Sequence, residues 1–145
     1  MSNEYYMREA LKEAHKAFEK DEVPIGSVLV YNKQIVARGH NQVELLQDIT
    51  AHAEILCITA ASAAFHSKYL TDYSLYVTLE PCMMCASAIG WAQISHLVFG
   101  AYDEQKGFTL YAPSPLHPKC LVEGGILQQE CSVLLKDFFK KIRGK

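Results

Sequence analysis

Apolar residues recur every three to four positions near both ends of the chain, whereas shorter apolar runs occupy its middle. The recurrence predicts amphipathic helices over residues 3–20 and 126–142. The apolar face of the first contains Met7, Ala10, Leu11, Ala14, Ala17 and Phe18, and that of the second contains Cys131, Leu134, Leu135, Phe138 and Ile142. Each terminal helix is therefore expected to bury one face.

Short apolar runs between these helices alternate with alanine-rich stretches. The runs predict strands, the first two joined by a turn near Asn32–Lys33, at residues 24–32, 33–41, 74–79, 95–102 and 120–124. The stretches 52–65 and 81–93 predict helices, the second opened by Pro81. This order is typical of the α/β class. We expect a three-layer α/β/α sandwich around a mixed sheet of about five strands, in a single domain spanning residues 1–145.

Composition and charge restrict the class of protein and its partners. The chain has 145 residues, of which 50% are hydrophobic and 21% charged, and its net charge is −2. This composition is globular, so a nucleic-acid partner would have to meet a local basic patch. The C-terminal "KDFFKKIRGK", which includes Lys140, Lys141 and Arg143, is either such a patch or a solvated helix end. No apolar run is long enough to cross a bilayer and no signal peptide begins the chain, so we expect a cytoplasmic protein.

Two short motifs carry the candidate chemistry. "TAHAEIL" places His52 two residues before Glu54, and "EPCMMCA" places Cys82 and Cys85 three positions apart after Pro81. Cysteines at i and i+3 share one face of a first helical turn, where the helix dipole favours the thiolate. Inside a helix, His52 and Glu54 would point roughly 200° apart, so they share a pocket only if His52 lies where its helix begins.

One histidine and two cysteines form the ligand set of a catalytic zinc site, because they leave a fourth position for water. Zinc lowers the pKa of such a water, and Glu54 is then placed to act as a proton shuttle. Two alternatives remain open. A CxxC pair is also typical of redox proteins, and a structural zinc would recruit a fourth ligand such as Cys57 or Cys120.

Together, "HAE" and "PCMMC" resemble the motifs of the zinc nucleobase deaminase superfamily, and within it the chain is most similar to the bacterial tRNA adenosine deaminases. The similarity covers nearly the whole chain, including "EVPIGSVLV", "GHN", "TAHAEI", "LYVTLEPCMMCASAI", "VFGAYDEQKG" and "GILQQECSVLLKDFF". The resemblance implies a cytidine-deaminase-like fold, one zinc ion per chain and a homodimer. It also implies hydrolytic conversion of adenosine to inosine at the wobble position of a tRNA anticodon loop.

The resemblance assigns roles to individual residues as well. It implies that the acid/base is Glu54 and that the zinc ligands are His52, Cys82 and Cys85. It implies a base-binding amide at Asn41, apolar contacts with the base at Ile25 and Leu79, and a contact with the nucleotide backbone at Asp103. Judged as residues alone, Asn41 is also consistent with a strand end or a turn, and Asp103 with a cap of the turn that follows it.

Residues 108–119 depart from the pattern of that family. After Gly107 the chain reads "FTLYAPSPLHPK", which is bulkier and richer in proline than the small residues that relatives carry there. Because this segment helps to hold RNA in relatives, the departure puts the nucleic-acid contacts in doubt but not the metal chemistry. Two alternative functions stay open, and the one within enzymes is a free-base deaminase acting on guanine or cytosine. The other is an RNA-binding protein with a structural zinc, against which Glu54 argues because a structural site needs no acid/base beside it.

Overall fold

A computed structural model describes residues 2–144, in which five strands form one sheet between two layers of helices. Met1 and Lys145, the ends of the predicted domain, lie outside the described residues. The strands are β1 (Gly26–Tyr31), β2 (Gln34–His40), β3 (Ser74–Leu79), β4 (His96–Ala101) and β5 (Leu121–Glu123). The helices are α1 (Asn3–Glu19), α2 (Val43–Leu46), α3 (Ala53–Phe65), α4 (Met83–Trp91) and α5 (Gln128–Arg143), and a 3₁₀ turn spans Phe108–Leu110.

The sheet is mixed, as predicted, with the strand order β2-β1-β3-β4-β5. Strand β1 is antiparallel to both β2 and β3, whereas β4 is parallel to both β3 and β5. The predicted turn between β1 and β2 is confirmed. Its two residues, Asn32 and Lys33, have φ angles of 51° and 65°, the left-handed conformation that suits the twist of a tight hairpin.

Each face of the sheet carries its own apolar core, which confirms the three layers. On one face, Leu75, Val77 and Leu97 pack with the buried sides of α3 and α4. On the other face, Tyr76 and Val98 pack with α1 and α5. The alternation follows from the pleat, because successive residues of a strand point to opposite faces. None of the helices among residues 2–144 is both long and apolar enough to cross a membrane.

Two helix assignments differ from the predictions. Helix α4 begins at Met83 rather than Pro81 and ends at Trp91, with Cys82 as its N-cap. Helix α2 was not predicted, because four residues are too few to show a helical period. A tertiary contact holds its first turn: the Glu22 carboxylate accepts hydrogen bonds from the amides of Glu44 (3.0 Å) and Leu45 (2.8 Å).

Candidate active site

The candidate site lies at the sheet edge where β2, β3 and β4 end and β1 begins. The antiparallel register brings the start of β1 to this edge, since Gly26 pairs with His40 and Ser27 with Val77. The chain leaving β3 leads directly into α4, so the N-terminus of that helix opens here. Edges that collect helix N-termini are where α/β sheets form their sites.

Both metal-binding motifs occupy helix starts. His52 is the N-cap of α3, with φ −77° and ψ 154°, and Cys82 is the N-cap of α4, with φ −72° and ψ 173°. These extended conformations turn each residue out of the regular helix, as the spacing of His52 and Glu54 requires. Cys85 is the third residue of α4 and is fully buried.

The three predicted ligands meet in space. The Nδ1 atom of His52 lies 3.4 Å from Sγ of Cys85 and 3.8 Å from Sγ of Cys82. All the candidate ligand atoms of this group lie within 4.8 Å of one another, and no other such group of three occurs within residues 2–144. One imidazole and two thiols at this separation fit a zinc ion with a fourth position left open.

Neither candidate for a fourth protein ligand joins this group. The Cys57 thiol lies in the core between α3 and β1, where it accepts a hydrogen bond from the Ser27 hydroxyl at 3.0 Å. The Cys120 thiol contacts the carbonyl oxygen of Leu121 at 3.7 Å. The predicted alternative of a structural zinc with a fourth cysteine therefore has no support in the arrangement of these side chains.

Protons are unevenly distributed over the ligand set. Interaction with the neighbouring Cys85 thiol, and after it the contact with His52, lowers the pKa of Cys82 to about 4. The same interaction with Cys82, together with burial, raises the pKa of Cys85. The bond to Cys82 also raises the pKa of His52. Cys82 is thus a thiolate at neutral pH, and metal binding to such a set displaces the remaining proton.

Glu54 lies beside these ligands but outside the ligand group. It occupies the first turn of α3 and is 3% exposed. Burial is the main cause that raises the pKa of Glu54 to about 7, while its own backbone amide and the nearby His52 act in the opposite direction. A carboxyl group in this position can hold or release a proton next to the metal ligands.

Asn41 is at the site but uses part of its amide within the protein. Its Oδ1 atom accepts a hydrogen bond from the backbone amide of Ala53 (2.8 Å), the first residue of α3. Its own backbone amide donates to the carbonyl oxygen of Ile25 at 3.1 Å. Asn41 therefore anchors the segment that carries His52, and Nδ2 is the part of its amide left for a ligand.

The two apolar positions lie on opposite faces of the sheet. Ile25 is half-buried and packs against the core beneath α3 and α4, the layer that carries the metal ligands. Leu79 is also half-buried but packs against the core beneath α1 and α5. Ile25 is the better placed of the two to contact a molecule bound beside His52.

Asp103 has the local contacts that its alternative interpretation predicted. Its Oδ1 atom accepts hydrogen bonds from the backbone amides of Gln105 and Lys106, both at 3.0 Å. The carboxylate therefore caps the turn that follows β4. This turn begins a loop, Asp103–Thr109, which lies against the residues just before α4.

Glu80 is a site residue that sequence analysis missed. It is 2% exposed, and its carboxylate accepts hydrogen bonds from the amides of Asp103 (3.0 Å) and Thr109 (2.9 Å) and from the Thr109 hydroxyl (2.6 Å). The available signal was an acidic residue directly after an apolar strand and before Pro81. A buried carboxylate requires such donors, but the sequence does not indicate which residues supply them.

The C-terminal basic residues are not equivalent. Lys140 and Arg143 line an open groove of ≈ 760 Å³ together with Gln105 of the Asp103–Thr109 loop. Lys141 points elsewhere, because its ammonium lies 2.9 Å from Asp21 and 5.1 Å from the centre of the Phe18 ring. The predicted basic patch is thus divided. Lys140 and Arg143 face a groove that reaches the Asp103–Thr109 loop, whereas Lys141 forms an ion pair with Asp21.

Known proteins are similar to this chain in sequence and in fold. A profile of the cytidine and deoxycytidylate deaminase zinc-binding region matches residues 1–101. The tRNA-specific adenosine deaminase of Bacillus subtilis (strain 168) is 45% identical over 148 residues, covering 99% of this chain and 92% of that protein. The chloroplastic tRNA(adenine(34)) deaminase of Arabidopsis thaliana is 43% identical over 95% of this chain, which spans only 12% of that longer protein.

One solved structure, from work on A-to-I editing by tRNA:A34 deaminases at the wobble position of transfer RNA, is 41% identical. It superposes with a TM-score of 0.85 and covers 90% of this chain and 99% of that one. The profile spans both metal-binding motifs, and the fold agrees over nearly the full length. The chain therefore belongs to the cytidine and deoxycytidylate deaminase zinc-binding family.

Proposed function

We propose that this chain is a zinc-dependent hydrolytic deaminase that converts adenosine to inosine at the wobble position of tRNA. The observation that carries the proposal is the meeting of His52, Cys82 and Cys85 beside the buried carboxyl of Glu54. Similarity to tRNA-specific adenosine deaminases over nearly the whole chain supports the choice of substrate. We assign this activity to a single domain formed by residues 1–145.

One zinc ion per chain is proposed, held by the Nδ1 atom of His52 and the two thiolates. When bound, zinc supplies Lewis-acid activation of water as the attacking group. Glu54 moves the protons: its carboxylate takes one from the attacking water and delivers it to a ring nitrogen of adenine. Glu54 next takes the proton of the hydroxyl group now on the attacked carbon and gives it to the departing amine, so that adenosine and water yield inosine and ammonia. Its burial excludes bulk water from this transfer.

The base would be held by groups at the same sheet edge. We assign to Nδ2 of Asn41 a hydrogen bond to the base, because Oδ1 is used by Ala53. Ile25 is proposed to pack on the base from the layer that carries His52, and Leu79 to contact it at the sheet edge, where β3 ends. The contact of Asp103 with the nucleotide backbone is proposed to involve Oδ2, since Oδ1 caps the local turn.

An RNA loop is the proposed form of the substrate. An unpaired anticodon base can be splayed out of the loop at low energetic cost and can then enter a pocket. The groove lined by Lys140, Arg143 and Gln105 connects the end of α5 to the Asp103–Thr109 loop. Lys136 lines it as well, so the groove offers three cations to phosphates against the one carboxylate of Asp137. Because tRNA is the proposed substrate and all five cysteines are free thiols, we place the protein in the cytoplasm.

We propose that the chain forms a homodimer through the outer faces of α3 and α4. Helices that are apolar on all sides are normally covered, yet these two carry exposed apolar side chains. Trp91 is 83% exposed, and Met84 and Phe65 are also exposed, as is Ile49 in the segment before α3. A second copy of this chain, seated on these residues, would cover them.

A single assay tests the proposed function. The zinc-loaded protein is incubated with an anticodon stem-loop containing the wobble adenosine and, separately, with guanine and cytosine. We expect inosine in the stem-loop and no release of ammonia from the free bases. Rapid turnover of guanine or cytosine without inosine would instead establish the free-base alternative, and zinc binding without turnover of any of the three would leave the RNA-binding alternative.

A further inference from the structure

Glu80 stands out as a buried acid that the reaction does not use. It follows the last residue of β3 and is separated from the ligand Cys82 only by Pro81. No Lys, Arg or His side chain forms an ion pair with Glu80 in the described part of the chain. Burying a carboxylate without a cationic partner is unfavourable unless hydrogen bonds replace the water that it loses, so the residues that donate to Glu80 are essential to its position.

All three donors come from one segment, the Asp103–Thr109 loop. The amide of Asp103 donates to Oε1 at 3.0 Å, while the amide and hydroxyl of Thr109 donate to Oε2 at 2.9 and 2.6 Å. The two carboxylate oxygens thus hold both ends of the loop. The 2.6 Å bond lies at the short end of the range for O–H···O hydrogen bonds.

The same loop also contacts the two residues that follow Glu80. The amide of Phe108 donates to the carbonyl oxygen of Pro81 at 2.9 Å, and Gly107 forms an isolated β-bridge with Cys82. A side chain at Gly107 would overlap the Glu80 carboxylate, so the loop closes this tightly only because that position has none. Residues 80–82 are therefore held along their whole length by the loop.

We propose that Glu80, held by Thr109, is a positioning residue of the metal centre. It aligns the Pro81–Cys82 backbone and the Asp103–Thr109 loop with one another, and it thereby sets the direction of the Cys82 thiolate. The reason is geometric: Cys82 is the N-cap, so its carbonyl oxygen accepts the first intrahelical bond, from the amide of Ala86 at 2.8 Å, but its own amide has no acceptor within the helix. The backbone on the N-terminal side of Cys82 is therefore held by the loop rather than by the helix. This inference rests on the proposed zinc site but not on the identity of the base.

The hydroxyl of Thr109 permits a narrow test. Thr109→Val removes the 2.6 Å bond and preserves both the side-chain shape and the amide bond at 2.9 Å. Thr109→Ser keeps the hydroxyl. Thr71→Val is the matched control, because Thr71 is exposed and its hydroxyl makes no hydrogen bond to any residue of the described chain. Glu80→Gln is a stronger perturbation, since its amide NH₂ would face a donor.

Three measurements on the zinc-loaded protein read the proposed role. The first is the rate of zinc release to a chelator. We expect this rate to rise about tenfold or more in Thr109→Val and Glu80→Gln, because removing a group that orients a metal ligand typically weakens metal affinity by that factor. The second is hydrogen exchange at the amides of Asp103 and Thr109, which should become faster. The third is turnover of the stem-loop, with kcat reduced and KM little changed. Thr109→Ser should restore all three, and Thr71→Val should match the wild type.

If Thr109 only stabilises the fold, Thr109→Val should lower the melting temperature but leave zinc release and kcat unchanged well below that temperature. This outcome would overturn the proposal. So would a Thr109→Ser protein that behaves like Thr109→Val. If Glu80→Gln does not fold, Thr109→Val alone carries the test. A wild-type protein that binds no zinc would refute the proposed function, while the exchange rates would still show whether Glu80 and Thr109 hold the loop.

Discussion

Asn41 has two roles that one pair of substitutions can separate. In Asn41→Ala the amide of Ala53 loses its acceptor at 2.8 Å while it remains buried at the start of α3. Leaving a buried N–H without a partner costs about 1–3 kcal/mol, so we take about 2 kcal/mol as the loss of unfolding free energy. For a chain of this length, each kcal/mol lowers the melting temperature by roughly 2–4 °C, which gives a decrease of about 4–8 °C.

Asn41→Asp is the matched partner, because a carboxylate still accepts the hydrogen bond from Ala53 but offers no Nδ2 donor. We expect its melting temperature to lie closer to the wild-type value than that of Asn41→Ala. Both variants should lose kcat/KM for the stem-loop by about tenfold or more, since a hydrogen bond to the base is lost in each.

Thermal denaturation and inosine formation are measured on the same zinc-loaded samples. An Asn41→Ala protein that melts at the wild-type temperature would show that the bond to Ala53 does not support α3. An Asn41→Asp protein that edits at the wild-type rate would show that Nδ2 does not bind the base.

The other predictions concern chemistry, metal and RNA. Glu54→Gln should keep its zinc and lower turnover by at least ~10²-fold in single-turnover assays, and near-normal turnover would exclude its role as proton shuttle. Cys82→Ala should lose most of its zinc and some thermal stability when metal content is measured by mass spectrometry, and full occupancy would contradict the ligand assignment. Joint substitution of Lys140 and Arg143 by alanine should weaken stem-loop binding and flatten its salt dependence, whereas Lys141→Ala should bind as the wild type does; an equal loss in both would contradict the role of the groove.

Three interpretations of the sequence became more specific once the fold was known. Asn41 was predicted to bind a base through its amide, but the Oδ1 atom of that amide supports α3. Asp103 was open to two interpretations, and its local cap is the one with observed partners. Lys141 was grouped with the other C-terminal cations, although it pairs with Asp21, which is 120 positions away in the chain. In each case the partner lies in another element or in a turn whose path the apolar pattern does not encode.

The sequence by itself determined the layered α/β fold and the choice of candidate metal ligands, because both depend on short-range patterns. The spacing of His52 and Glu54 and that of Cys82 and Cys85 each lie within one turn of helix, and the helix start is a local signal. Only the tertiary structure decided which loop holds the site together. Glu80 and Thr109 are 29 residues apart and belong to segments without a periodic pattern, so their hydrogen bond exists only because β3 and β4 are parallel neighbours that end at the same edge.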